Sequence, residues 1–428
     1  MTAPAFDEID RPSLSVIRDC VHCGFCLTAC PTYLETGNEL DSPRGRIYLM
    51  KSAIEGRIPM GEALVKHLDL CLGCLACETA CPSGVDYSQL IEASRSQIER
   101  RYRRPFWDRF YRSLLFSVFP YPKRLGLLLP FLFLYQATGV KGLVQSSRVL
   151  RKFSDKLAHI EGMLPEVKSV FPSPLPNLTP AKGKRRFRVA LLTGCVQSVL
   201  FPETNEATVR VLAENGCEVI IPKGQGCCGA LSLHSGRLSE SRDFARSNIE
   251  VFENSDFDAI IVNSAGCGST MKEYGELLND SRAEKFGKRV KDIMEFLADI
   301  GIQGELKELR LRVTYQDACH IAHAQRIKTH PRKIIKQIPG IEFIELPESE
   351  ICCGSAGIYN LVEPEMAEKL LQRKISKLKE TGAQVLVAGN PGCLLQIGMG
   401  IRRYGLNIKT AHPVELLDWA YRGKVKFG

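Results

Sequence analysis

Eight cysteines stand in two runs of the same spacing, Cys20-x2-Cys23-x2-Cys26-x3-Cys30-Pro31 and Cys71-x2-Cys74-x2-Cys77-x3-Cys81-Pro82. Three thiolates at two-residue intervals can wrap three irons of one cube within a single turn of chain, while a fourth, followed by proline, leaves that turn. The pattern commits the first ninety residues to a fold built around two metal centres.

In two-cluster ferredoxins the departing fourth thiolate reaches the other cube. By that rule Cys20, Cys23, Cys26 and Cys81 hold one [4Fe–4S] cluster, and Cys71, Cys74, Cys77 and Cys30 hold the second. Zinc also favours Cys-x2-Cys pairs, but it must then account for two complete four-cysteine runs, each with its proline. The 40 residues between the runs show helical periodicity over 46–55 and 62–70. This predicts an α-helical ferredoxin module over residues 1–95 rather than a compact β-rich one. His22 and His67 lie close enough in sequence to tune the clusters from outside the ligand shell.

The rest of the cysteine usage fits a reduced setting. There are 17 cysteines in 428 residues, an odd number spread over a long chain, which argues against a secreted disulfide framework. The opening MTAPAFDEID has neither a basic nor an apolar segment, so no signal peptide and a cytoplasmic location are expected. No G-x-G-x-x-G or P-loop motif appears, so no flavin or nucleotide site is expected on this chain.

Charge is distributed unevenly. Residues 1–92 carry 7 basic and 13 acidic side chains, residues 93–188 carry 20 and 5, and the remainder balances at 30 each. Within the basic stretch Arg100, Arg101, Arg103, Arg104, Arg109 and Arg112 interleave with Tyr102, Phe106, Trp107, Phe110 and Tyr111. Apolar runs at 114–119 and 125–135 follow, too short for a spanning helix and separated by Pro120 and Pro122. Peripheral contact with an anionic membrane through residues 100–152 is one reading. Docking of another subunit, or core helices over the cluster module, are the others. Nothing reads as a base-recognition motif, so nucleic acid is not an expected partner. Residues 96–186 are taken as a basic apolar helical connector, ending in a linker over 171–188 with Pro172, Pro174, Pro176 and Pro180.

From residue 187 the chain repeats itself. Cys195, Cys227, Cys228 and Cys267 recur as Cys319, Cys352, Cys353 and Cys393, at offsets of 124, 125, 125 and 126. Apolar strands are expected at 189–193, 260–263, 313–316 and 385–388, with helices at 240–252 and 365–378. The prediction is two α/β domains, 187–305 and 306–428. Adjacent cysteines point in different directions, and the glycines after Cys228 and Cys353 let backbone approach a bulky inorganic ligand. The eight are therefore candidates for further metal or redox sites, rather than buried small hydrophobes. Cys217, at the apparent strand 218–221 and without a counterpart, is read as such a hydrophobe. Asp317, His320 and His323 surround Cys319 and are either a further ligand or proton source, or plain hydrogen-bonded residues at a helix start.

With both halves in view, the chain resembles the iron–sulfur subunits of glycolate oxidase (glycolate dehydrogenase) over nearly its whole length. The resemblance rests on the paired runs, the basic apolar middle and the two cysteine-rich CCG domains. Local words such as Cys20-Val-His-Cys-Gly-Phe-Cys26, Ser42-Pro-Arg-Gly-Arg46 and Cys71-Leu-Gly-Cys-Leu-Ala-Cys77 carry it as well. It implies an electron-transfer subunit with two [4Fe–4S] clusters, oxidation of glycolate to glyoxylate, FAD only on partner glycolate oxidase subunits, and a membrane quinone as acceptor. The place implied is the inner face of the cell membrane. The iron–sulfur subunit of anaerobic glycerol-3-phosphate dehydrogenase shares the domain order and is the alternative; an iron–sulfur sensor or scaffold is the non-enzymatic one. In heterodisulfide-reductase-type CCG domains the last element is Cys-x2-Cys. Here its first position is Ser264 or Asn390, leaving four candidate ligands per copy.

Overall fold

The computed structural model describes residues 5–147, 150, 155–165, 167, 174–253 and 256–426. The N-terminal module is helical, as the periodicity predicts. Between its cysteine runs lie helices Pro31–Thr36, Pro43–Ile54 and Glu62–Asp69, and after the second run comes Tyr87–Arg101. Pro43 occupies the first turn, where its missing N–H costs nothing, and the Ser42 hydroxyl accepts from Gly45 N–H. Asp86 caps Tyr87–Arg101 in the same way. Met50, Leu68, Leu90, Ile91 and Ile98 close the module's core together with Cys71 and Cys77.

The C-terminal half holds two sheets. The first contains β1 (Leu178–Thr179), β2 (Phe187–Leu191), β3 (Cys217–Ile220), β4 (Ala259–Val262) and β5 (Val290–Asp292), in the order β1-β3-β2-β4-β5. The second contains β6 (Leu311–Gln316), β7 (Ile341–Glu345), β8 (Val385–Ala388) and β9 (Lys409–Ala411), in the order β7-β6-β8-β9. All pairings are parallel except β1 with β3. The central strands are unbroken apolar runs, as sheets covered on both faces require. Apart from β1 the two orders match, which is the predicted duplication in three dimensions. Part of the expected linker, residues 171–173, lies outside the described residues. A later part of it is not a free linker, because Leu178 and Thr179 pair with Ile220 and Val219 as an edge strand.

The two copies are fused. One apolar cluster joins Val189, Leu191 and Ile261 of the first sheet to Val313, Tyr315, Val385 and Val387 of the second. Helices Pro202–Glu214 and Pro413–Arg422 pack against one another inside it.

The basic middle folds as helices Phe106–Val118, Pro122–Gly126, Leu129–Ala137, Val140–Ser147 and Asp155–Met163. Residues 148–149 and 151–152 of the expected membrane-contact segment lie outside the described residues. Leu115, Phe116 and Met163 are buried in a cluster with Ala265, Ala318, Cys353 and Cys393, so one face of the connector covers the CCG half. No helix among the described residues is long and apolar enough to cross a membrane.

Candidate cluster sites

Two cavities lie side by side in the N-terminal module. One is lined by Cys20, Cys23, Cys26 and Cys81, and the other by Cys30, Cys71, Cys74 and Cys77. The first takes three thiols from the first run with Cys77 and Cys81 from the second; the other takes three from the second run with Cys30 from the first. Cys77, Pro43 and Tyr87 line both, so the cavities are neighbours. Their exposure differs. Cys30, Cys71 and Cys77 are buried, whereas Cys23 lies on the surface.

Charge is built into the second cavity. Arg46 is 1% exposed and gives N–H bonds to the His67 carbonyl at 2.7 Å, the Thr32 hydroxyl at 3.0 Å and the Cys30 sulfur at 3.9 Å. Arg95 donates to the Cys71 carbonyl. Burial works against a Cys71 thiolate, but Arg46, Arg95, the Gly73 N–H and the Tyr87 hydroxyl outweigh it and bring the thiol below its ordinary value. Burial instead pushes Cys26 up to about 11, and Cys74 and Cys77 rise as well, with neighbouring thiolates adding to the effect. His67 acts from outside the cavity: its Nδ1 meets Asp41 at 2.7 Å, and the Asp41 carbonyl accepts from Thr32. His22 is exposed, with its carbonyl bonded by Arg44.

The CCG cysteines also gather. Cys195 sits 3.4 Å from Cys227, and Cys228 meets both Cys227 and Cys267. In the second copy Cys352 meets Cys319 and Cys353, and Cys353 meets Cys393. In each set one thiol is held low by its neighbours' S–H donors, Cys227 by Cys195 and Cys228, and Cys353 by Cys352 and Cys393. Cys195, Cys267, Cys319 and Cys393 follow the C-terminal ends of β2, β4, β6 and β8, and the adjacent pairs follow those of β3 and β7, where parallel sheets leave room for ligands. Ser264 and Asn390 lie where the copies touch; the Ser264 hydroxyl donates to Asn390 Oδ1 at 3.3 Å. Cys217 stands apart in β3, fully buried, its thiol pushed up to about 12 by that burial.

The N-terminal module docks on the CCG half through its second run. Leu72 and Cys74 pack with Cys319, Cys352 and Tyr359, whose hydroxyl donates to the Leu70 carbonyl at 2.9 Å. His320 gives its Nε2 proton to the Gly73 carbonyl at 3.1 Å and accepts at Nδ1 from Ser269. Burial then holds it neutral, at about 3. His323 bridges Thr79 and the Glu350 carbonyl, and Asp317 takes both Arg332 amines at 2.8 and 2.7 Å. His320 and His323 thus bond across the junction, whereas Asp317 is paired within the second copy. Sequence reasoning missed Arg46 and Tyr87 as cavity residues, and Arg95 as a donor to the Cys71 carbonyl. Arg46 closes the word Ser42-Pro-Arg-Gly-Arg46, but nothing in one sequence says that a guanidinium there turns inward. Also missed was His234, whose ring lies 4.6 Å from that of His320 and whose Nδ1 meets Glu92 at 3.0 Å.

Soft thiols in two sets of four, with guanidinium and N–H partners, suit anionic iron–sulfur cubanes. Among the described residues no three His, Cys, Asp or Glu side chains are set to hold one metal ion; the module's sulfurs line cavities. The family comparisons agree with this layout. Residues 16–85 match the 4Fe-4S dicluster domain, 107–164 the glycolate oxidase iron-sulfur subunit linker region, and 189–272 and 313–398 the cysteine-rich CCG domain. The probable glycolate oxidase iron-sulfur subunit of Bacillus subtilis is 41% identical over 420 residues, 95% of each chain. The Escherichia coli glycolate oxidase iron-sulfur subunit is 35% identical over 417 residues, 95% of this chain and 94% of that one. A fumarate reductase (CoM/CoB) subunit of Methanothermobacter marburgensis is 30% identical over 422 residues, 96% of this chain and 74% of that one. At these identities and this coverage, the chain belongs to the family of glycolate oxidase iron–sulfur subunits, the electron-transfer components of an oxidoreductase complex.

Proposed function

We propose that this chain relays electrons for a membrane-associated 2-hydroxy-acid dehydrogenase that converts glycolate to glyoxylate, with FAD and the substrate site on partner subunits and a membrane quinone as acceptor. Cys20, Cys23, Cys26 and Cys81 would hold one [4Fe–4S] cluster, and Cys71, Cys74, Cys77 and Cys30 the second. A bound cubane supplies one-electron transfer, which a flavin's two-electron chemistry needs on its outlet side.

The observation that carries the reading is the serial placement of the sulfur sets. Cys23 is on the surface, Cys77 lines both module cavities, and Cys74 lies against Cys319. Cys353 and Cys393 then lie beneath Leu115 and Phe116 of the connector. The outer face of those helices supports contact with the inner face of the cell membrane. Phe106, Trp107, Phe110, Leu127, Leu128, Phe131 and Leu134 are exposed there, beside exposed Arg103, Arg109, Lys123 and Arg124.

The test is EPR with iron analysis on the anaerobically purified complex. Glycolate is expected to produce the cubane signals that dithionite produces, with about eight irons per chain if the CCG sets are empty and about twelve or more if they are filled. Clusters that dithionite reduces and glycolate, in the presence of the flavoprotein subunits, does not would sink the reading.

A further inference from the structure

The two cysteine runs share a spacing but not an environment. In the second run Leu72 is 6% exposed and packs with Cys352, Tyr359, Met366 and Leu370 of the second CCG copy; Leu75 and Ala76 are buried beside it. At the same places in the first run stand Val21, 68% exposed, Gly24, and Phe25, 65% exposed. Cys23, between them, is itself exposed.

The loop is held in shape although its side chains are uncovered. His22 and Gly24 take positive φ angles of 57° and 87°, turning the chain tightly around the cavity. Arg44 donates to the His22 carbonyl at 3.0 Å and is itself fixed by Glu39 at 2.8 Å. A lone exposed valine or phenylalanine needs no explanation. Here two of them flank an exposed candidate ligand, on an element whose twin is an interface to another cysteine-bearing domain.

We propose that the Val21–Phe25 loop is the docking surface for the flavin-bearing partner subunit and the point at which electrons reach this chain. The proposal rests on the relay reading above. The internal repeat supplies the argument for the occupant: the equivalent surface of the second run is already covered by a cysteine-rich domain in cis, so this one is built to meet a protein domain in trans, which in the relay reading is the flavin-bearing one. Charge distinguishes a protein from a lipid surface. Residues 1–92 carry 7 basic against 13 acidic side chains, so an anionic membrane is repelled, whereas a protein face with basic residues around an apolar socket fits.

The test uses the complete complex carrying Phe25→Asp, and Phe25→Leu as the conservative variant. Glycolate-driven bleaching of the clusters is expected to slow at least about tenfold in the aspartate variant, as an unpaired charge buried in an apolar contact does. Flavin is expected to be lost from it on size exclusion, while iron content and dithionite reduction stay at the wild-type level. Phe25→Leu is expected to restore both readouts. An aspartate variant that keeps its flavin and is reduced by glycolate at the wild-type rate overturns the proposal. If glycolate fails to reduce even the wild-type clusters, the relay reading is what has failed. Flavin retention then decides the docking surface alone: loss in the aspartate variant supports it and retention overturns it.

Discussion

Arg46 carries a full charge at a place with almost no access to water, and its partners explain why. Burial opposes the guanidinium, but Cys71, Tyr87, Cys30 and Asp41 surround it and hold it protonated. Were Cys71, Cys74, Cys77 and Cys30 to hold a cubane, reduction would add negative charge there, which this cation would stabilise. Arg46→Gln is therefore expected to move the midpoint potential of one cubane to more negative values and leave the other nearly unchanged, as read by EPR-monitored redox titration. An equal shift of both would show that the charge is not local. The cysteines divide as sharply. Cys74→Ser is expected to abolish one cubane and the electron flow. Cys217→Ser is expected to leave iron content unchanged and to lower stability by about 1–3 kcal/mol, the cost of an ill-matched buried hydroxyl. Full cluster occupancy and normal activity in Cys74→Ser would defeat the ligand assignment.

Helix Pro413–Arg422 shows how an end can depend on protonation. Its N-cap is His412, 1% exposed, whose Nδ1 accepts from the Val414 N–H at 3.2 Å while Glu415 closes the capping box. Burial holds His412 at about 3, against roughly 6.5 in the unfolded chain. Between those values the unfolded chain binds the proton and the folded one does not, so stability falls as pH drops below about 6.5 and levels off near 3. The loss is about 1.4 kcal/mol per pH unit. His412→Asn keeps a capping acceptor without the titration, so its urea midpoint is expected to fall less than the wild type's from pH 7 to pH 5. Parallel falls would remove His412 from the acid response. The loop after Cys228 is equally constrained: a Cβ on Gly236 would meet the Arg95 backbone at 2.4 Å, so this turn and helix Tyr87–Arg101 need a glycine between them. Helix Phe106–Val118 has two working faces, Leu115 and Phe116 inward and Trp107, 76% exposed, outward with Phe110. Its sequence is apolar enough to suggest either a core or a surface, and it serves as both.

Viewed as an assembly, the chain joins an acidic module with an uncovered apolar loop to a basic, aromatic-rich connector. In the relay proposed above, these would be the separate faces for the donor and for a membrane. Binding to phosphatidylglycerol vesicles is expected for the wild type and is expected to weaken with added salt, as screening shortens the reach of the basic side chains. Trp107→Glu with Phe110→Glu is expected to cut it at least about tenfold in a sedimentation assay. Vesicles that fail to bind the wild type would assign the connector's outer face to another subunit instead.

Much of this was readable from local pattern. The spacing of the two runs sorts eight cysteines into two expected sets of four, and each cavity is lined by all four members of one set, with Cys77 lining both. The duplication was equally plain, since copied strands and loops keep their offsets; the α-helical module and paired α/β domains stand as expected from periodicity. What stayed hidden depends on contacts between residues far apart in the chain: Arg46 turned toward Cys30, Arg95 reaching both Cys71 and His234, and Leu72 covered while Val21 is not. The same holds for β1, two residues of an expected linker recruited by β3, and for the core shared by both sheets. The fold class, a dicluster module followed by a duplicated CCG domain, was legible from the sequence alone, because periodicity and cysteine spacing are local properties. Only the tertiary structure decided which cysteine set faces solvent, which lies against the CCG half, and which arginines lie inside, because burial and charge pairing belong to the packed whole.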